Sequence, residues 1–582
     1  MRPSRYLMVT VLALTACSGH EETVTVLEPD QPETPTAPLP VEGEASPRTT
    51  PAPVTSPGRQ ELADERLRRA QESKVSGAPI REAELANAAV DQAWPGSQRI
   101  PAQGPPSRWG TPENRENYRH VEDNPVRLTI ADPVSTFSID VDTAAYSNLR
   151  RLLNQGSLPP ADAVRIEELI NYFSYDYPAP DNGEAFNVIT EVGPAPWNSE
   201  RQLLHIGIQG KRLAADALPP ANLVFLIDVS GSMQSPDKLD LLKASLKLLT
   251  RQLDAEDRIS IAVYAGSAGA VLEPTAGNRS AEIDAAIDRL SAGGSTNGGA
   301  GIHLAYAMAR QAFMRDGINR VILATDGDFN VGTTDQHALE DLVERERASG
   351  VALTVLGFGS GNYNDALMQR LAQVGNGNAA YVDTMNEARK VLVDELASTL
   401  KIIAKDVKIQ VEFNPAVVAE YRLLGYETRM LAREDFNNDQ VDAGEIGAGH
   451  TVTALYELTL QDSADRRVDP LRYQDLRPQP GDRRSDELAF VRLRHKAPDA
   501  DASSLIEMPI RTTDMQSDLR RTSDDFRFSA AVAGFGSLLR AGAQTGNFSY
   551  DDVSSLALGA RGADPFGYRG EFLGLVRTAQ AL

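Results

Sequence analysis

The sequence predicts an α/β fold built on a doubly wound, mostly parallel sheet. An α+β N-terminal domain and a β-rich C-terminal domain with terminal helices flank it. Three observations predict this. Between residues 216 and 400, apolar runs of strand length alternate with helix-length amphipathic stretches, which implies right-handed crossovers and a sheet covered on both faces. On either side the texture shifts toward the period-two alternation of half-buried strands. The chain has 582 residues, 41% of them hydrophobic and 24% charged, which is too long for one hydrophobic core.

Taken in order, residues 1–17 read as a targeting segment. Arg2 and Arg5 give a positive start, and residues 6–16 form an apolar run too short to span a bilayer as a mature helix. The run ends Leu14-Thr-Ala-Cys17, and Cys17 is the single cysteine of the chain, so an internal disulfide is excluded. The tetrapeptide resembles a bacterial lipobox. That resemblance implies lipidation of Cys17, cleavage before it, and, because Ser18 follows rather than Asp, an outer-membrane destination on the periplasmic or surface face. Residues 18–112 read as a disordered tether in which Pro29, Pro32, Pro35, Pro38, Pro40 and Pro47 alternate with Thr, Glu and small residues. Such a composition cannot bury a core. Residues 113–215 form the N-terminal domain, with strands at 135–142, 186–192 and 203–208 and helices at 143–153 and 161–173. Asp142 is expected to cap the helix that follows it rather than to bind a metal.

The central block, 216–400, has strands at 223–227, 258–264, 320–324, 352–358 and 380–382. Its helices fall at 238–253, 281–290, 299–314, 336–349, 364–373 and 387–400. Residues 401–582 form the C-terminal domain, with strands at 407–413, 451–458 and 488–493, then helices at 526–540, 550–558 and 568–579. The formal net charge of −23, with an isoelectric point near 4.8, argues against a nucleic-acid-binding face, which is normally basic.

Three loops carry the chemistry. Asp228-Val-Ser-Gly-Ser232 follows the apolar strand at 223–227, Thr296 precedes the helix at 299–314, and Asp326 follows the strand at 320–324. A parallel sheet places ligands at the carboxyl ends of its strands, and oxygen donors without Cys or His suit a hard cation. The pattern Asp228-x-Ser230-x-Ser232, Thr296, Asp326 resembles the metal-ion-dependent adhesion site of the von Willebrand factor type A family, which implies a Rossmann-like fold. The resemblance implies that the hydroxyls of Ser230, Ser232 and Thr296 contact the ion while Asp228 and Asp326 act through waters. Mg²⁺ is the expected cofactor, with Mn²⁺ or Ca²⁺ as alternatives. The expected partner is a protein presenting an Asp or Glu carboxylate, which neighbouring helix N-termini also favour.

The stretches Ser135-Thr-Phe-Ser-Ile-Asp-Val-Asp-Thr143, Asp442-Ala-Gly-Glu-Ile-Gly-Ala-Gly-His450 and Asp564-Pro-Phe-Gly-Tyr-Arg569 are similar to the YfbK-like bacterial lipoproteins. That family implies a type A domain between a dedicated N-terminal domain and a C-terminal domain of unknown function. Gly357-x-Gly359-x-Gly361 lacks dinucleotide-fingerprint spacing and reads as a strand-end turn. Asp435-Phe-Asn-Asn-Asp439 begins like a calcium loop, but Gln440 stands where that loop needs glycine, so a plain acidic turn is expected. The seven histidines show no metalloprotease spacing, and no catalytic residue is assigned. The expected function is a lipid-anchored envelope binding protein, not an enzyme. The alternatives are an envelope hydrolase that uses the type A domain for docking, and a structural or adhesive surface protein.

Overall fold

The computed structural model describes residues 116–582 apart from 140, 182, 214–217, 296–297, 328–335, 362, 470–485 and 543–544. All of them belong to one compact unit, Pro106–Leu582. The expected signal segment, Cys17 and the tether lie outside the described residues. Among the described residues no helix is long and apolar enough to cross a membrane.

The first segment carries β1 (Arg127–Leu128), β2 (Val134–Ser138), α1 (Ala144–Asn154), α2 (Ile166–Asn171), β3 (Phe186–Ala195) and β4 (Asn198–Gly210). The central segment follows with β5 (Ala221–Asp228), α3 (Leu241–Thr250), β6 (Arg258–Tyr264), β7 (Ala268–Ala276), α4 (Ser280–Asp288), α5 (Gly298–Gln311) and β8 (Ile318–Thr325). It continues with α6 (Gln336–Ala348), β9 (Ala352–Phe358), α7 (Asp365–Val374), β10 (Ala379–Val382), α8 (Met385–Arg389) and α9 (Leu396–Leu400). The last segment holds β11 (Ile402–Phe413), β12 (Val418–Leu424), β13 (Gly444–Gly447), β14 (Thr451–Leu460), β15 (Glu487–Lys496) and β16 (Ser503–Arg511). It closes with α10 (Asp524–Leu539), α11 (Tyr550–Gly559) and α12 (Tyr568–Ala581).

The central sheet has the order β10-β9-β8-β5-β6-β7. All its pairs are parallel except β6 with β7. Every residue of β5 and of β8 is buried, as expected for parallel strands with helices on both faces. One face packs Leu223, Phe225 and Ile227 against Leu242, Leu246 and Leu249 of α3. The other packs Val224 and Leu226 against Ile302, Ala305 and Tyr306 of α5. Because β6 lies on one side of β5 and β8 on the other, the strand order reverses at β5. The carboxyl end of β5 is therefore a topological switch point, where doubly wound sheets open a crevice.

The segments flanking the central sheet do not fold apart from each other. β4 pairs along its length with β14, Ile206 opposite Ala454, and β2 pairs with β11, Phe137 opposite Ile409. The two resulting sheets share a core of Phe137, Ile206, Ile208, Val411, Tyr456 and Leu458. A second core joins α1 and α2 to the terminal helices through Tyr146, Leu169, Phe173, Phe528, Phe535 and Phe572. The central block is thus inserted into a module whose strands come from both ends. Residue separations of this size leave no local signature, so sequence patterning alone reads two flanking domains.

Several elements differ from expectation for physical reasons. β7 and β16 are unpredicted; β7 contains Gly269 and Pro274, and β16 contains Pro509. Each pairs with a neighbour on one side only, and edge strands tolerate proline because no ladder donor is needed outward. The expected helix at 387–400 widens at 390–394 and is interrupted at Glu395; Lys390 turns inward there to donate to Glu395 Oε1 at 2.5 Å and lies 4.4 Å from the Tyr172 ring centre. The N-cap position of α1 falls on Thr143, not on Asp142 as expected. Asp142 Oδ1 accepts from the Ala379 N–H at 2.9 Å and Oδ2 from Arg429 at 3.0 Å.

Candidate metal site at the end of the central sheet

Asp228 ends β5 with its side chain fully buried. Its carboxylate is fixed from three directions. Oδ1 accepts from the Ser230 N–H at 2.8 Å. Oδ2 accepts from the Tyr264 hydroxyl at 3.2 Å and from the Thr325 hydroxyl at 3.3 Å. The two hydroxyl donors come from the ends of the neighbouring strands β6 and β8, so the sheet itself helps set the carboxylate's orientation. The chain then turns so that the Ser230 and Ser232 hydroxyl oxygens lie 2.9 Å apart. Ser230 is buried and Ser232 half-buried, so Ser232 is the more exposed of the pair.

Asp326, one residue past β8, is also buried. Its Oδ2 accepts from Lys238 Nζ at 2.9 Å. Burial pushes the Asp228 carboxyl up to about 6, hydrogen bonds from Ser230 oppose the rise, and the charge of Asp326 adds to it.

The loop that leads to Thr296 is laced to this turn by backbone bonds. The Gly293 N–H donates to Val229 O at 2.8 Å, and the Gly231 N–H donates to Gly294 O at 3.1 Å. Thr296 itself lies outside the described residues. Asp228, Ser230, Ser232 and Asp326 are therefore brought to one crevice, beside the loop that carries Thr296. Among the described residues no group of three or more His, Cys, Asp or Glu side chains is poised to hold a metal. The donor set here is of a different kind, two carboxylates and neighbouring hydroxyls, all hard oxygens that fit a small divalent cation.

Sequence reasoning missed Tyr264, Thr325 and Lys238. Tyr264 and Thr325 read as ordinary strand-end residues. Lys238 read as the first residue of the helix expected at 238–253; residues 236–240 form a wider turn before α3 and bury it. The strand-end glycines behave as expected, Gly357 packing under Tyr363, Tyr381 and Met368. The acidic turn after residue 434 is closed by lysines. Lys408 Nζ donates to Asp435 O and Asn438 O, and Lys496 Nζ donates to Asp439 O. The Asp439 carboxylate, at the fifth position of such a loop, is itself engaged by the Ser503 hydroxyl at 2.7 Å and by Arg494 at 3.3 Å.

Comparison with known proteins agrees with this architecture. The model of the von Willebrand factor type A domain matches residues 222–394, and one described as von Willebrand factor matches 112–205. A third, for the C-terminal part of uncharacterized protein YfbK, matches 398–582. Uncharacterized protein YfbK of Escherichia coli K12 is 48% identical over 472 residues, spanning 80% of this chain and 81% of its own. The chain belongs to the YfbK family of von Willebrand factor type A proteins. Uncharacterized protein sll0103 of Synechocystis shares 32% identity over 192 residues, 33% of this YfbK-family chain and 44% of its own. Among solved structures, the von Willebrand factor type A protein from Catenulispora acidiphila covers 68% of this chain and 91% of its own, at 15% identity and a TM-score of 0.39.

Proposed function

We propose that this YfbK-family chain is a lipid-anchored cell-envelope binding protein. In this reading Asp228, Ser230, Ser232, Thr296 and Asp326 hold a divalent cation, Mg²⁺ foremost and Mn²⁺ or Ca²⁺ as alternatives. The ligand is an Asp or Glu carboxylate on a protein partner. The observation that carries the proposal is the gathering of Asp228, Ser230, Ser232 and Asp326 at the switch point between β5 and β8. A bound cation supplies positive charge and exchangeable coordination positions there.

The chain's own residues do the rest. Tyr264, Thr325 and the Ser230 backbone hold Asp228 in one orientation, so little ordering remains to be done when a cation arrives. Burial of both carboxylates keeps bulk water from screening them. The hydroxyl pair is neutral and the Lys238 ammonium offsets one of the two carboxylates, so the site does not cancel the full charge of a divalent ion. The remaining positive charge favours an anionic side chain.

The anchor reading rests on Cys17 behind its short apolar run, and residues 18–112 would hold the folded part away from the outer membrane. Two experiments test the proposal. Partner capture from envelope extracts is expected to be lost with chelator and with Asp228→Ala; capture indifferent to both contradicts it. Radiolabelled palmitate is expected to enter the wild-type chain and not Cys17→Ser.

A further inference from the structure

We propose that Lys238 is a built-in counter-cation that sets the charge of the metal site, and with it the preference for an anionic ligand. This rests on the cation-binding reading above. Lys238 Nζ donates to Asp326 Oδ2 at 2.9 Å, with the two side chains 8% and 0% exposed. Lysine is rarely buried, because its ammonium loses strong hydration that only a close partner offsets.

The surrounding backbone is shaped for the side chain. Gly359, just past β9, has φ +70°, and a Cβ there would lie 2.3 Å from both Cγ and Cε of Lys238. The left-handed backbone and the missing side chain together leave a slot for the lysine stem. The strand-end glycine thus serves the site, by letting an ammonium pass to Asp326.

The charge count gives the consequence. Among the described residues Asp228 and Asp326 contribute two negative charges, Lys238 returns one positive charge, and the serine hydroxyls contribute none. With a divalent cation the centre then carries one net positive charge, whereas without the lysine it would be neutral. An ion's own charge dominates such a site, so Lys238 acts in two opposite directions. It weakens uptake of the cation by repulsion and strengthens attraction for a carboxylate. A salt bridge that merely stabilised the fold would not move these two affinities in opposite senses.

The test titrates the full chain with Mn²⁺ and Mg²⁺ by calorimetry, then titrates the loaded protein with an end-blocked Gly-Glu-Gly peptide and a Gly-Gln-Gly control. Lys238→Met is expected to bind the cation about tenfold or more tightly and the Glu peptide about tenfold or more weakly. That is the scale of a unit charge a few ångströms away at an effective dielectric of about 20. Lys238→Gln, which keeps a donor to Asp326 without the charge, is expected to follow Lys238→Met and serves where the methionine variant does not fold. Gly359→Ala, which keeps the charge but blocks the slot, is expected to shift both affinities the same way. A folded Lys238→Gln protein with wild-type affinities overturns the role of Lys238 while leaving the metal site standing. A wild-type chain that takes up neither cation overturns the metal reading, and this inference with it.

Discussion

At Asp228 three donors orient a carboxylate that burial makes costly to ionise. Its substitution therefore separates site from scaffold. Asp228→Asn is expected to leave the cation-free thermal midpoint unchanged or raised, because a buried charge disappears. The wild type is expected to gain about 2.7 kcal/mol when the cation is present at a hundredfold above its Kd, a rise of several degrees, and the variant none; differential scanning calorimetry with and without Mg²⁺ reads both. A second residue sets an acid limit. His205 is buried with Nε2 2.9 Å from the Tyr177 hydroxyl, and burial pulls its imidazole down to about 4. An unfolded chain's histidine titrates near 6.5, so between about 6.5 and about 4 the unfolded state binds a proton that the folded state refuses. Stability falls as pH drops through that window, by on the order of 3 kcal/mol at its lower end. His205→Gln is expected to flatten this fall relative to wild type. The difference between the two proteins also removes the contribution of Glu445, which burial raises to about 8 and which acts in the opposite sense.

At the scale of elements, the strands that position the site were legible because they are local. β6 and β9 fall where the apolar runs place them, since a parallel strand buried on both faces is a continuous hydrophobic segment. Asp228, Ser230, Ser232 and Asp326 were legible as loop residues that follow such runs. What was not legible depends on partners distant in sequence. Lys238 looks solvent-facing until Asp326 is placed beside it, and Thr143 takes the cap position once Asp142 is held by Arg429 and Ala379. β12 carries Glu420 and Arg422 in a fully buried strand, and Glu420 becomes intelligible only when the Arg467 and Val468 N–H groups are seen to donate to it. The pairing of β2 with β11 and β4 with β14 predicts that a chain ending at residue 400 keeps the central sheet and loses the flanking module. Limited proteolysis is expected to digest residues 116–210 of that truncated chain quickly, while the central block persists.

At the scale of the whole molecule, buried arginines tie the flanking module to the type A domain. Arg150 of α1 donates to Asp383 at 2.5 Å, to Glu387 at 2.8 Å and to Glu571 of α12 at 2.8 Å. Arg165 reaches Asp365 of α7 at 2.7 Å. Removing one partner of such a cluster strands the remaining charges, so Arg150→Ala is expected to cost about 3–5 kcal/mol, measurable by denaturant unfolding. The arrangement presents the carboxyl ends of β5 and β8 on a body braced by the described segments on either side of the central block. The central claim, that this crevice holds a cation which engages a carboxylate, is tested most directly by titrating an end-blocked Glu peptide into the full chain. The titration is run with Mg²⁺, with chelator, and with Asp228→Ala in Mg²⁺. Binding in the first case alone is the predicted result, and equal binding in all three contradicts the claim.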